Sequence, residues 1–253
     1  PGEYAKIMLP ELTFPYLIPG QEVLLDDGKI HLKIVEKAEN MAENGGENTQ
    51  GKRYFAKVLW GGLLKSRKSA ALPGAKIYPP TLTNSDLANI KIAKEMGVTG
   101  VMQPFVRDHS DLECVKEALR EAGAEDIRLF AKIENMDGVR KLEKLLPAAD
   151  EIVIARGDLG NAVHLWDLPG VQRQISEKCR AAGKPFMVVT QMLASMERSP
   201  VPTRAEVNDI FHAVMDGAAS IMVTGETAVG DYPVEVIRYM VNTVRSAEKK
   251  ENR

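Results

Sequence analysis

The feature that most constrains the fold is a unit that recurs along the last two thirds of the chain: a short apolar run, a polar turn, then a helical pattern. Strand starts fall near Val98, Ile127, Glu151, Pro185 and Ser220, with helical patterns between them at roughly 111 to 122, 137 to 147, 170 to 182 and 204 to 216. Steps of about 24 to 35 residues are what a strand and its crossover helix need, so the sheet is expected to be parallel with right-handed crossovers. Ahead of the first strand, "TNSDLANIKIAKEMG" reads as a helix with Thr83 at its start, Asp86 in its first turn and a stop at Gly97. A last helix is expected from about Pro233 to Glu248. Five strand-helix units are visible, and a closed barrel of this kind needs eight. Either the other strands lie outside this sequence, or the sheet is open with its edge covered.

The first third has a different texture. Val23, Leu24 and Leu25 run into Asp26-Asp27-Gly28, a turn signal, and then into the alternation of Ile30, Leu32 and Ile34, which reads as a hairpin. "RYFAKVLW" is a further strand, and the polar, glycine-rich "AENMAENGGENTQGK" between them is expected to be the least ordered loop. Residues 16 to 75 therefore read as a small all-β module, and residues 1 to 15 resist assignment.

Charge and composition exclude several classes. Lysine plus arginine number 33 against 35 aspartate plus glutamate, a formal charge of -2, so no basic surplus points to nucleic acid. The apolar stretches are strand-sized, and none reads as membrane-spanning. Cys114 and Cys179 both lie in helical patterns, which gives no disulfide scheme and fits a reducing, cytoplasmic compartment.

Polar residues collect at one end of the strands. "IRLFAKIEN" ends in Lys132, Glu134 and Asn135; "EIVIARGDLG" in Arg156, Gly157, Asp158 and Gly160; "PFMVVTQ" in Thr190 and Gln191; "SIMVTGETAVG" in Thr224, Gly225, Glu226 and Thr227. In parallel α/β folds these carboxyl ends open onto one crevice and carry the chemistry. Glu134 and Asp158, on neighbouring strands, suit one hard divalent cation, magnesium or manganese, with positions left for substrate oxygens or water. The bland alternative is a rim salt bridge to Lys132 or Arg156. Period two puts Lys132 on the face of Glu134, where an ammonium would stabilise charge developing on an enolate or a transferring phosphoryl group. Gly157 and Gly160 allow close backbone approach and N–H donation to an anion, and Thr190 offers a hydroxyl that is either a relay or structural. None of His31, His109, His164 and His212 has metal-ligand spacing. The basic Lys65, Arg67 and Lys68 after Gly61-Gly62 read either as a solvated turn or as cations facing a phosphorylated substrate. Met187, Met192 and Met196 read as core or interface.

"KIENMDGV", "IARGDLG", "TQMLASM", "PTRAEVNDIFHAVMDGA" and "TGETAVGDYPVEV" resemble, in order, the signature segments of the pyruvate kinase family. The likeness extends back through "QPFVR" and "LPGAKIYPPTLTNSDL" to "LLDDGKI". It implies a TIM (β/α)8-type barrel, incomplete in this chain, with an inserted small all-β lid. Residues 1–15 would be the end of barrel strand 3 and a hinge, 16–75 the lid, and 76–253 barrel strands 4 to 8 with their helices. The implied reaction is phosphoryl transfer between phosphoenolpyruvate and ADP, giving pyruvate and ATP, in a homo-oligomer. By the same resemblance, Glu134 and Asp158 hold Mg2+, Lys132 faces the phosphoryl group and enolate oxygen, and Thr190 lies near the substrate methylene. The backbone of Arg156, Gly157 and Asp158 would surround the carboxylate, and Lys68, Thr224 and Glu226 would face the nucleotide.

The sequence also departs from the family pattern. The segments of the first two barrel strands are not matched, and with them go the substrate-phosphate arginine and the usual ligands of a K+ ion. "PGEYAKI" has Ala5 or Lys6 where an arginine is expected. Pro104, Ser69, Ala71, Ala162 and Thr224 replace the family's usual residues, while the metal and lysine positions are intact. Two alternatives stay open beside the kinase: a lyase or enolising enzyme that uses no nucleotide, and a catalytically impaired homologue.

Overall fold

A computed structural model describes residues 5–26, 28–38, 53–66, 68–75 and 77–251. The chain divides into two compact units, Pro1–Pro79 and Pro80–Arg253.

The first unit opens with a 3-10 turn, Glu11–Tyr16, followed by β1 (Glu22–Leu25), β2 (Ile30–Ala38), β3 (Arg53–Trp60) and β4 (Ala70–Ala71). They form one antiparallel sheet in the order β3-β2-β1-β4. The expected hairpin is present, with Leu25 opposite Ile30. Its turn takes Asp26 and Gly28 to φ 51° and 82°, the left-handed region that glycine enters without steric cost. Alternation along β1 and β2 turns Val23, Leu25, Ile30, Leu32 and Ile34 inward, where they pack with Leu17 and Leu72, and Leu9 and Phe14 lie against this core. The polar loop expected over 38–52 falls outside the described residues, apart from Ala38 at the end of β2.

The second unit alternates helices with strands: α1 (Asn84–Ala93), β5 (Gly100–Gln103), α2 (His109–Glu121), β6 (Arg128–Ile133), α3 (Met136–Arg140), α4 (Leu142–Leu145) and β7 (Glu151–Ala155). Then follow α5 (Arg156–Ala162), α6 (Leu168–Ala181), β8 (Phe186–Val189), a 3-10 turn Ala194–Glu197, α7 (Arg204–Met215), β9 (Ser220–Met222), α8 (Gly225–Ala228) and α9 (Pro233–Glu251). Strands β5 to β9 are parallel and adjacent in sequence order, which is the arrangement of part of a (β/α)8 barrel. Among the described residues no helix is long and apolar enough to cross a membrane.

Local chemistry explains the helix starts. Thr83 accepts from the Asp86 N–H while Asp86 accepts from the Thr83 N–H, a reciprocal cap, and Thr203 with Glu206 repeats it on α7. One expected helix, over 137 to 147, is two short ones, because the chain kinks at Lys141 between α3 and α4. Helix α5 is not signalled by the sequence, where two glycines in "RGDLG" read as loop; it starts directly from the end of β7.

The strands are buried unequally on their two faces. Leu129, Ala131, Ile133, Ile152, Ile154 and Val188 face the helices and join the main core with Leu112, Leu145 and Ile175. Each of the valine, leucine and isoleucine side chains among them, fully buried, stabilises the unit by roughly 1.5–3 kcal/mol. Phe130, Val153, Ala155, Met187, Val189 and Met222 form a second cluster on the opposite face. Lys132 and Glu134 continue the Phe130 face, so strand periodicity places them with that second cluster.

Candidate active site

Glu134 follows the last residue of β6 and is 3% exposed. The N–H of Phe105, in the loop after β5, donates to Glu134 Oε2 at 2.7 Å. Lys132 Nζ lies 2.7 Å from Oε1. That ion pair is the one contact of Oε1 among the described residues, and no backbone N–H reaches it as Phe105 reaches Oε2. The rim pair that the spacing allowed therefore forms, with one carboxylate oxygen bonded by the backbone and the other held by the ammonium alone.

The loop that supplies the Phe105 N–H is tied down on both sides. Val106 N–H donates to the Lys132 carbonyl at 3.3 Å, and Asn135 Nδ2 donates to the Val106 carbonyl at 3.1 Å. Asn135 also caps α3 by accepting from Gly138 N–H, and a Cβ on Gly138 would stand 2.6 Å from the Val106 carbonyl oxygen, which explains glycine there. Further along, Asp111 accepts from the Arg107 N–H, Nε and Nη2 and from Thr81 Oγ1. Burial alone would raise the Asp111 pKa; the bonds from Arg107 and Thr81 prevail and hold it down at about 2. Phe105 itself sits at φ 50°, a left-handed residue held by these clamps.

Asp158 lies in the first turn of α5 and is half-buried. Since Ile133 pairs with Ile154, the ends of β6 and β7 that lead to Glu134 and to α5 are adjacent. Among the described residues no group of three or more His, Cys, Asp or Glu side chains is arranged to hold a metal. The donors expected for a cation, Glu134 and Asp158, amount to two carboxylates, one of them with an oxygen held only by the Lys132 ammonium. Two hard oxygen donors fit Mg2+ or Mn2+, which keep several positions for water and substrate oxygens, and do not fit a closed zinc site.

Arg156, Gly157 and Thr190 come together at the ends of β7 and β8. The Gly157 N–H donates to Thr190 Oγ1 at 2.8 Å, and that hydroxyl donates to the Val189 carbonyl at 2.5 Å. The Arg156 guanidinium turns into the fold, donating to the Thr190 carbonyl at 2.7 Å and to Asp209 Oδ2 on α7 at 2.6 Å. Asp209 is a residue the sequence reading passed over, because an acid in a helical pattern is usually solvated. Thr224 immediately precedes α8, and Glu226, 2% exposed, accepts from the N–H groups of Leu193 at 3.1 Å and Thr224 at 2.8 Å. Lys68 belongs to the first unit, where its Nζ lies 2.8 Å from Asp26 Oδ1 and lowers the Asp26 pKa, chiefly through that bond. Arg67, read with it, lies outside the described residues.

The histidines carry none of this geometry. His31 is buried beside Glu22 and against Trp60, and the other three lie at the surface. Both cysteines are free, and burial pushes the Cys179 thiol up to about 12, which makes it inert. Met192 and Met196 are fully buried in the main core, as expected of packing residues.

Residues 6–237 match the family model for the barrel domain of pyruvate kinase. The chain belongs to the pyruvate kinase family. It is 38% identical over 233 residues to the pyruvate kinase of Bacillus licheniformis, covering 92% of this chain and 38% of that protein. To the pyruvate kinase of Geobacillus stearothermophilus it is 39% identical, covering 90% and 38%. To that of Chlamydia trachomatis serovar D it is 35% identical over 247 residues, covering 98% and 48%. The chain thus spans less than half the length of these curated relatives.

Proposed function

We propose that this chain carries the catalytic face of a phosphotransferase that moves the phosphoryl group between phosphoenolpyruvate and ADP, giving pyruvate and ATP. The single observation that supports it most is the Lys132–Glu134 pair on a family barrel: a buried carboxylate with one oxygen held only by an ammonium, at the carboxyl end of β6. Relatives named pyruvate kinase across 90% or more of this chain supply the reaction class.

In this reading Glu134 and Asp158 hold Mg2+, or Mn2+ in its place; no ligand set for K+ is proposed on this chain. The bound cation supplies charge neutralisation of the phosphoryl and α-keto acid oxygens. Lys132, 25% exposed at its side chain and held by Glu134, places its ammonium toward the transferring phosphoryl group. As the phosphoryl group leaves, negative charge builds on the enolate oxygen, and the same ammonium stabilises it. The first turn of α5, from Arg156 to Asp158, orients the substrate carboxylate, with Gly157 fixed by Thr190. Thr190 lies beside the carbon that gains a proton when enolate becomes pyruvate. Glu226 and Thr224 form the wall at the end of β9 on the nucleotide side.

The test is steady-state turnover of phosphoenolpyruvate and ADP with Mg2+ by the purified protein and by Lys132→Met. The expected result is a loss in kcat of about a hundredfold or more, larger than any change in phosphoenolpyruvate binding. Equal activity of the two proteins would overturn the role of Lys132. Mg2+-dependent exchange of pyruvate methyl protons, with no turnover of ADP, would instead point to an enolising enzyme.

A further inference from the structure

After β8 the backbone passes through two consecutive left-handed residues, Thr190 at φ 72° and Gln191 at φ 53°. Neither is glycine, and for a β-branched residue this region is a steric outlier. Such a conformation persists only where its surroundings over-determine it. We infer that Asp209 is the positioning residue that holds this turn, acting through Arg156: the Asp209 carboxylate aims the guanidinium, and the guanidinium fixes the Thr190 carbonyl. The inference rests on the reading of Thr190 as a substrate-facing group.

The geometry has three steps. Asp209 Oδ2 accepts from Arg156 Nη1 at 2.6 Å, and Arg156 Nη2 donates to the Thr190 carbonyl at 2.7 Å and touches Met192 Sδ at 2.8 Å. The guanidinium is rigid and planar, so a carboxylate held on one nitrogen sets the direction of the other. With only 12% of the arginine side chain exposed, its charge needs a partner, and Asp209 supplies one. The Thr190 hydroxyl is then held between the Val189 carbonyl and the Gly157 N–H, so the turn after β8 and the first turn of α5 are locked together.

Asp209 is itself well anchored. Helix α7 is capped by Thr203 and Glu206, and Glu206 also accepts from the N–H and hydroxyl of Ser195, in the 3-10 turn that follows β8. The path from Thr190 through Ser195, Glu206, Asp209 and Arg156 back to Thr190 is a closed loop. Removing one carboxylate opens it at the strained residue, where the backbone has the most to gain by relaxing.

The experiment compares wild type with Asp209→Ala and Asp209→Asn. Amide hydrogen exchange at Gly157 reads the lock directly, and kcat and KM for phosphoenolpyruvate and ADP read its consequence. In Asp209→Ala, Gly157 should exchange at least about tenfold faster while the β7 amides keep wild-type rates. Its kcat should fall about ten- to a hundredfold, with the KM for ADP within about twofold. Asp209→Asn, whose amide oxygen still accepts from Arg156, should fall between the two. Unchanged Gly157 exchange in Asp209→Ala would overturn the proposal. So would a lowered Tm with wild-type exchange and wild-type kcat per folded molecule. If Asp209→Ala does not fold, Asp209→Asn decides, and wild-type values in both readouts would likewise overturn it. A wild-type protein without turnover would sink the proposed function alone, because the exchange comparison does not need activity.

Discussion

Two glutamates stand just beyond strand ends in this fold, and they are bonded in different ways. Glu134 after β6 and Glu226 after β9 are 3% and 2% exposed. Both oxygens of Glu226 accept backbone N–H groups, from Leu193 and Thr224, so its charge is spent joining the segment after β8 to the start of α8. Only one oxygen of Glu134 does this, at Phe105, and the other is held by the Lys132 ammonium alone. A carboxylate at a strand end is therefore not always left open by the backbone. What distinguishes the two is whether the backbone has already satisfied it.

The comparison is easiest to break at Glu134. Glu134→Gln should lower Mg2+-dependent turnover by about a thousandfold and abolish the Mn2+ binding seen by electron paramagnetic resonance. Glu226→Gln should leave Mn2+ binding near wild type. Comparable loss of Mn2+ binding in both variants would erase the distinction.

Stability should show the reverse order. Glu226→Ala leaves two N–H groups without their acceptor and should cost about 2–4 kcal/mol, read from the denaturation midpoint at unchanged m-value. A cost below about 1 kcal/mol would mean that water replaces the clip. Gly138→Ala pushes a methyl into the Val106 carbonyl beside Phe105, so it should cost about 1–3 kcal/mol and weaken Mn2+ binding, although residue 138 is not a ligand in this reading. Unaltered metal affinity would show that the loop does not set the Glu134 carboxylate.

The smallest effect is the pH response of the Asp111 clamp. The Asp111 pKa is lowered from 3.8 to about 2 in the folded protein, so its contribution is fully present above about pH 4 and lost as pH falls through about 2. Asp111→Asn should cost at most about 2 kcal/mol at neutral pH, less as solvent screens Arg107, and should match wild type near pH 2. A constant difference across that window would mean that the carboxylate charge contributes nothing.

Much of this was legible before any coordinates. The strand-helix alternation, the Thr83–Asp86 cap and the shared face of Lys132 and Glu134 are readable because period and capping are local. Helix α5 was not readable, because its glycines argue against a helix and its start is set by the end of β7. Nor was the left-handed turn at Thr190 and Gln191, since nothing in "VVTQM" predicts positive φ. Asp209 carried no signal that separates an anchored acid from a solvated one.

The sequence by itself determined the order of elements, the parallel sheet, the small β module and the set of polar residues gathered at the strand ends. Only the tertiary structure decided which of those residues the backbone and neighbouring side chains bond. The reason is physical: each deciding bond joins residues far apart in the chain, 29 positions for Phe105 with Glu134, 33 for Leu193 with Glu226 and 53 for Arg156 with Asp209. Local propensity carries no information about partners at such distances. Whether a carboxylate is a clip or a strut is settled when the packed core brings those partners within hydrogen-bonding reach.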